Sequence, residues 1–355
     1  MSSALDNVNR REFLGLAFAS LLLRSGRRES LRSVESLRQW AQYRRQILRN
    51  MEEVMGPLPR RPRISLDVRK LEESDLGKIT RTKLTYRSEK GDHVPSYLFT
   101  PKSANRRVPA VLCLHQTTPL GAAEPAGIGG NPNLHYALEL AERGYVTLAP
   151  DYPGCGRYDF GGYEFDPYTH GYASDTMLGI FNNMRAIDLL ESLPEVAQGR
   201  IGCIGHSLGA NNTLFLGPFD LRVKALVSSC GFTSFARYAA SKNAKEHGGQ
   251  LAPWSQKVYM PRIATMFGNN PARMPFDFSD VLAVLAPRPL FVNAPLHDPI
   301  FDVSGAKDCL NSARHIYKLF NAQNRLVAIF PDASHSFPPA ARERAYEFLD
   351  RWLKQ

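Results

Sequence analysis

Arg200-Ile201-Gly202-Cys203-Ile204-Gly205-His206-Ser207-Leu208-Gly209-Ala210 reads as an apolar strand, a sharp turn and the opening of a helix. A serine in a flat strand is a poor nucleophile, because its hydroxyl is neither exposed nor activated. On a strained strand-to-helix turn the Oγ projects above the sheet, and small residues at 205 and 209 let the turn close tightly. The helix that follows aims backbone N–H groups and its positive dipole end at the same point, where an oxyanion develops during acyl transfer. The strand before the turn and the helix after it separate this Gly-x-Ser-x-Gly run from a chance match. Ser207 is therefore the candidate nucleophile.

Outward from the turn, helix-like and strand-like stretches alternate. Residues 78–87 and 93–99 alternate polar and apolar around Glu89-Lys90-Gly91-Asp92, as a hairpin does. Val108 to Leu114 is a continuous apolar run, the pattern of a strand buried on both faces. Helix near 133–143, strand 145–149, helix 175–192, strand 200–205, a helix to about 217 and strand 223–229 follow. Beyond an irregular stretch come helix 279–285, strand 289–294, helix 304–321, strand 325–330 and helix 339–353. This alternation specifies an α/β fold with a mostly parallel, doubly wound sheet and an antiparallel hairpin at one edge.

A serine nucleophile needs a base and a group to orient that base. His335, in Pro331-Asp332-Ala333-Ser334-His335-Ser336, follows the last strand and is the candidate base. Asp298, in Pro295-Leu296-His297-Asp298-Pro299, follows the strand before it and is the candidate acid; Asp302, four residues on, is the alternative acid. The order Ser, Asp, His separates this arrangement from chymotrypsin-like and subtilisin-like chains. The oxyanion donors expected are the amides of Leu208 and of Thr117, in the loop Leu114-His115-Gln116-Thr117-Thr118, with the Gln116 side chain beside them.

Together with Ala149-Pro150-Asp151-Tyr152-Pro153-Gly154-Cys155-Gly156 and Asp220-Leu221-Arg222-Val223-Lys224-Ala225, these pieces resemble the dienelactone-hydrolase and acetyl-xylan-esterase-like branch of the α/β-hydrolase superfamily. The resemblance spans roughly residues 77 to 353. It implies a cofactor-independent carboxylic-ester hydrolase with Ser207, Asp298 and His335 as triad, acting on a small-molecule or carbohydrate ester. Dienelactone hydrolases carry Cys at the nucleophile position, so Ser207 points away from that activity. A peptidase or amidase on the same triad and a non-catalytic binding protein of the same fold are the alternatives.

The 355 residues divide accordingly. Residues 1–29 carry Arg10-Arg11 ahead of an apolar run ending at Leu23, resembling a twin-arginine signal for export to the periplasm or beyond; the alternative is a cytoplasmic enzyme with an N-terminal helix. Residues 30–76 form a helical extension and linker, whose apolar positions Leu31, Val34, Leu37, Tyr43, Ile47 and Val54 pack on the body. Residues 77–355 form the catalytic domain, with a small cap insertion at about 232–278.

The formal charge of +10 is concentrated at the front: residues 1–63 hold 13 basic against 6 acidic side chains, and the rest is nearly balanced. That distribution, without a basic-aromatic stripe, argues against nucleic acid as a partner. The apolar run is too short for stable membrane insertion. Five cysteines in unpaired spacing indicate neither a disulfide framework nor a metal site. Aromatics at Tyr158, Phe160, Tyr163, Phe165, Tyr168 and Tyr172, and in the insertion at Phe232, Phe235, Tyr238, Trp254, Tyr259 and Phe267, either wall a sugar-binding pocket or bury one another.

Overall fold

The computed structural model describes residues 31–60, 64–102, 107–153 and 166–355. The twin-arginine segment and four of the aromatics, Tyr158, Phe160, Tyr163 and Phe165, lie outside them.

Among the described residues nine strands form one sheet: β1 (Arg69–Asp75), β2 (Ile79–Arg87), β3 (His93–Pro101), β4 (Val108–Leu114), β5 (Val146–Pro150), β6 (Val196–His206), β7 (Val223–Ser229), β8 (Leu290–Asn293) and β9 (Leu326–Ile329). Their order is β1-β2-β3-β5-β4-β6-β7-β8-β9. β1, β2, β3 and β5 pair antiparallel, and every pairing from β5 through β4 to β9 is parallel. The helices are α1 (Leu37–Met55), α2 (Tyr136–Glu142), α3 (Asp175–Ser192), α4 (Leu208–Phe219), α5 (Phe235–Ala240), α6 (Lys242–Glu246), α7 (Arg262–Phe267), α8 (Phe278–Leu285), α9 (Val303–Leu319) and α10 (Pro339–Leu353). Two apolar clusters form on the faces of the sheet, as a doubly wound fold requires: Leu112, Leu114 and Cys203 belong to one, Val111, Cys113 and Ile204 to the other.

The sheet begins earlier than residue 77. β1 lies in the stretch read from sequence as linker, and pairs with β2 from Arg69↔Thr85 to Asp75↔Thr80. Its sequence, Arg-Lys-Leu-Glu-Glu-Ser-Asp, has one large apolar side chain and is almost wholly exposed. An edge strand solvated on both faces carries no alternation to read, and its charges protect the edge from further pairing.

α1 packs against α7 and α8 through Trp40, Ile47, Met51, Val54 and Met55. Leu37, expected in that stripe, is the first helical residue and stays 49% exposed. Ser174 fastens the junction: its Oγ donates to the Met55 carbonyl at 2.5 Å and accepts from the Met177 N–H at 3.0 Å, capping α3. The apolar stripe of α1 therefore faces the body and not a membrane. No described helix is long and apolar enough to cross one.

In the insertion, Phe232, Phe235, Tyr238, Trp254 and Phe267 are buried. Phe235 meets Trp254, Phe276 and Phe278 with ring centroids 6.1, 5.7 and 5.4 Å apart. These rings bury one another, and of the six aromatics read there only Tyr259 lines the space beside Leu208.

Candidate active site

β4 and β6 are neighbours in register, with Leu114 opposite Gly205. The loop after β4 and the turn after β6 therefore leave the sheet side by side at its carboxyl edge, where ligands bind in open α/β sheets. Ser207 occupies the turn with φ 53° and ψ −118°, in the left-handed half of backbone space that a residue with a Cβ enters at a cost of about 1–3 kcal/mol. Its N–H donates to the Ser229 carbonyl at 2.9 Å, and its own carbonyl accepts from Ala210 and Asn211, both at 3.0 Å.

The two glycines are required by space. A Cβ on Gly205 would stand 2.2 Å from the backbone of Gly209, and one on Gly209 would stand 1.9 Å from the Leu114 carbonyl oxygen. The strand end, the helix start and the β4 terminus thus meet with backbone against backbone. Leu208, the first residue of α4, has no intrahelical partner for its N–H, which leaves that donor free at the turn.

Asp298 and His335 converge from the ends of β8 and β9. His335 Nδ1 lies 2.8 Å from Asp298 Oδ2, with the Asp298 side chain 1% exposed and that of His335 16%. The second carboxylate oxygen accepts the Ile300 and Phe301 N–H groups at 2.9 and 3.0 Å, so both oxygens of Asp298 are held. The imidazole lies against the turn: its ring centroid is 4.9 Å from that of His206, the residue before Ser207. Among the described residues no hydrogen bond joins Ser207 Oγ to His335, a bond that in free enzymes is often long and tightens with substrate.

Asp302 stands elsewhere. Its Oδ1 caps α9, accepting the Ser304 and Gly305 N–H groups at 2.9 and 3.1 Å, and the Ser304 hydroxyl beside it holds the carboxyl below its ordinary range. A carboxylate committed to a helix N-terminus is not free to orient an imidazole, and Asp298 is the acid that meets His335.

Of the residues expected at the oxyanion, Thr117 is exposed and its Oγ1 lies 3.4 Å from the Tyr259 hydroxyl. The Gln116 side chain is turned to buried Glu124, donating to Oε2 at 2.9 Å, so it serves the loop's own structure. His115 anchors the same loop from below, fully buried, 3.2 Å from Asp151 and stacked on Tyr152 at 4.1 Å.

A buried polar row links the strand ends beneath these groups. His206 Nδ1 lies 3.0 Å from Ser229 Oγ; Asn293 Nδ2 donates to that oxygen at 2.9 Å and to the Ser336 carbonyl, next to His335, at 3.0 Å. Burial first, and then the proximity of His335, pushes the His206 imidazole well below its usual range, so it stays neutral beside the candidate base. The sequence reading missed this row. Its signal was polar residues closing otherwise apolar strands, at Ser228-Ser229 and Asn293. Cys230, Asp298 and His335 also place a ligand atom each within 4.8 Å of one another, but burial raises the Cys230 thiol well above its ordinary range and keeps it protonated.

Comparison with known proteins agrees with this architecture. Residues 168–321 match the family described as glucuronyl esterase, fungi. The Bacillus subtilis (strain 168) protein YtaP, which bears a hydrolase name, is 24% identical over 323 residues, covering 88% of this chain and 99% of its own. A glucuronoyl esterase from Solibacter usitatus superposes with a TM-score of 0.67 at 19% identity, over 89% of this chain and 94% of that one. A Bacteroides fragilis NCTC 9343 protein described as an acetyl xylan esterase gives 0.66 at 20%, over 98% and 91%. The chain shares its fold with these neighbours, α/β enzymes described as a glucuronoyl esterase and an acetyl xylan esterase.

Proposed function

We propose that this protein is a serine carboxylic-ester hydrolase acting on acylated carbohydrates, with Ser207 as nucleophile, His335 as general base and Asp298 as the acid that orients it. The observation that carries this reading is the 2.8 Å pairing of His335 Nδ1 with Asp298 Oδ2 against the turn that presents Ser207. Asp298, held by two backbone amides, fixes the Nδ1–H tautomer and leaves Nε2 as the base.

In the reaction, Ser207 Oγ attacks the ester carbonyl while its proton passes to His335. The tetrahedral oxyanion is held by the amide of Leu208 and that of Thr117. Its collapse expels the alcohol, which takes the proton from His335 and leaves an acyl-serine. Water then gives a proton to His335 and attacks the acyl carbon, and collapse of the second intermediate returns the proton to Ser207. No cofactor enters these steps. The neighbours' descriptions as glucuronoyl and acetyl xylan esterases support a carbohydrate ester over a peptide.

Replacing Ser207 by Ala lowers kcat on p-nitrophenyl acetate by about 10⁴-fold or more and abolishes labelling by a fluorophosphonate. Undiminished turnover in that variant rules the assignment out.

A further inference from the structure

His335 gains and loses a proton twice in the reaction proposed above, and its ring must be held through both exchanges. Phe301 touches both members of the acid–base pair. Its backbone N–H donates to Asp298 Oδ1 at 3.0 Å, and its ring centroid lies 5.9 Å from that of His335 at an interplanar angle of 40°. The residue is 7% exposed, so it offers almost no surface to a substrate. Behind it stand two rings of the cap insertion, Tyr238 at 6.0 Å and Trp254 at 6.4 Å between centroids. Both are buried, and Trp254 packs in turn on Phe235 and Phe278. Phe301 cannot swing away from the imidazole without displacing that cluster. The aromatic packing of the cap therefore ends on the candidate base.

An aromatic ring carries partial negative charge on its face and attracts a cation within about 6 Å of its centroid. A neutral imidazole gains little from that field, whereas the imidazolium formed as Ser207 loses its proton gains more. Only an interaction that strengthens toward the transition state speeds the step. We propose that Phe301 is a positioning residue that holds the Asp298–His335 pair in place and stabilises the imidazolium form of His335 through its ring. This rests on the ester-hydrolase reading and deepens it, since the cap then buttresses the base instead of walling the substrate. Among the described residues, three titratable groups stand around the same imidazole. They are Asp298, His206, which burial keeps neutral, and the protonated Cys230 thiol. On the same two loops, Asp302 caps α9, and the His297–Asp332 pair lies in solvent. An exchange at position 301 alters none of these groups, so a change in pH dependence reports the ring itself.

The test compares the full-length wild type with Phe301→Leu, Phe301→Met and Phe301→Tyr on p-nitrophenyl acetate. It follows kcat and KM between about pH 5 and 8, with fluorophosphonate labelling and melting curves alongside. Leucine and methionine keep the backbone amide and an apolar side chain but lose the aromatic face. In either variant kcat falls about three- to tenfold while KM stays within about twofold. The acid limb of kcat/KM moves about 0.5 lower in pH, because the protonated base has lost a partner. Phe301→Tyr keeps the aromatic face and returns both readings toward the wild type. The methionine variant carries the comparison if the leucine variant does not fold. An unchanged kcat, a change confined to KM, or a fall in kcat with the acid limb unmoved overturns the inference. Any of these in a protein whose wild type is labelled and active leaves the ester-hydrolase reading standing. A wild type that is neither labelled nor active on any ester overturns that reading and this inference with it.

Discussion

Asp298 Oδ2 meets His335 Nδ1 at 2.8 Å, while Asp302, four residues further along the same loop, spends its carboxylate on the first turn of α9. The candidate acid of the sequence and its alternative are thereby separated by what each accepts from. Asp298→Asn keeps the shape but presents an NH₂ or a weak acceptor to the imidazole, and kcat falls about 10³–10⁴-fold. Asp302→Ala removes a helix cap, costing about 1 kcal/mol of stability, and leaves kcat within about twofold. Steady-state kinetics and thermal melts of the two variants check both halves; a collapse of kcat in the Asp302 variant would reverse the assignment.

Gly205→Ala and Gly209→Ala test the packing at the turn. Each adds one methyl group where backbone atoms already stand at 2.2 or 1.9 Å from the new carbon, and backbone cannot step aside as a flexible side chain can. The expected loss is about 3 kcal/mol or more in either variant, read as a lowered Tm together with lost esterase activity. Gly77→Ala is the control for the methyl itself, since nothing lies within 4 Å of that position, although its φ of 80° adds some strain of its own.

The strands from β2 onward were legible because they are either alternating or continuously apolar and are punctuated by Gly, Pro and Asp. The order of Ser207, Asp298 and His335 was legible because each follows such a strand. β1 was not, since a charged edge strand with Leu71 as its one large apolar residue looks like a linker. Nor was the row from His206 through Ser229 and Asn293 to Ser336: it depends on residues 206, 229 and 293 reaching the same edge of the sheet, which is a property of register across three strands. The aromatic insertion was legible only as two alternatives, and burial decided for mutual packing at five of its six rings.

That buried row positions the loop of His335. Asn293→Leu removes the donor to Ser229 Oγ and to the Ser336 carbonyl at once, leaving the first with His206 and the second with the Cys230 thiol. The cost is about 1–3 kcal/mol in stability. Because the displaced group is the proposed base and not a substrate contact, kcat falls about tenfold while KM changes little. A rise in KM at constant kcat would show that Asn293 shapes the pocket instead.

Asp175 lowers the stability of the folded chain at neutral pH. Its carboxyl titrates at about 6 in the folded chain against an ordinary value of 3.8, because burial disfavours the charge. The folded state therefore holds this proton more tightly than the unfolded state does. Between the two values the unfolded chain binds fewer protons, so stability falls as pH rises through that window, and above about 6 the whole cost is present. Asp175→Asn carries no charge at any of these pH values and escapes the cost. Its Tm exceeds that of the wild type by about 2 °C at pH 8, with the advantage shrinking toward zero at pH 4, below the window. Melting curves of both proteins at pH 4, 6 and 8 check the slope, and an advantage that grows as pH falls would mean that the carboxylate is stabilised in the fold by a partner.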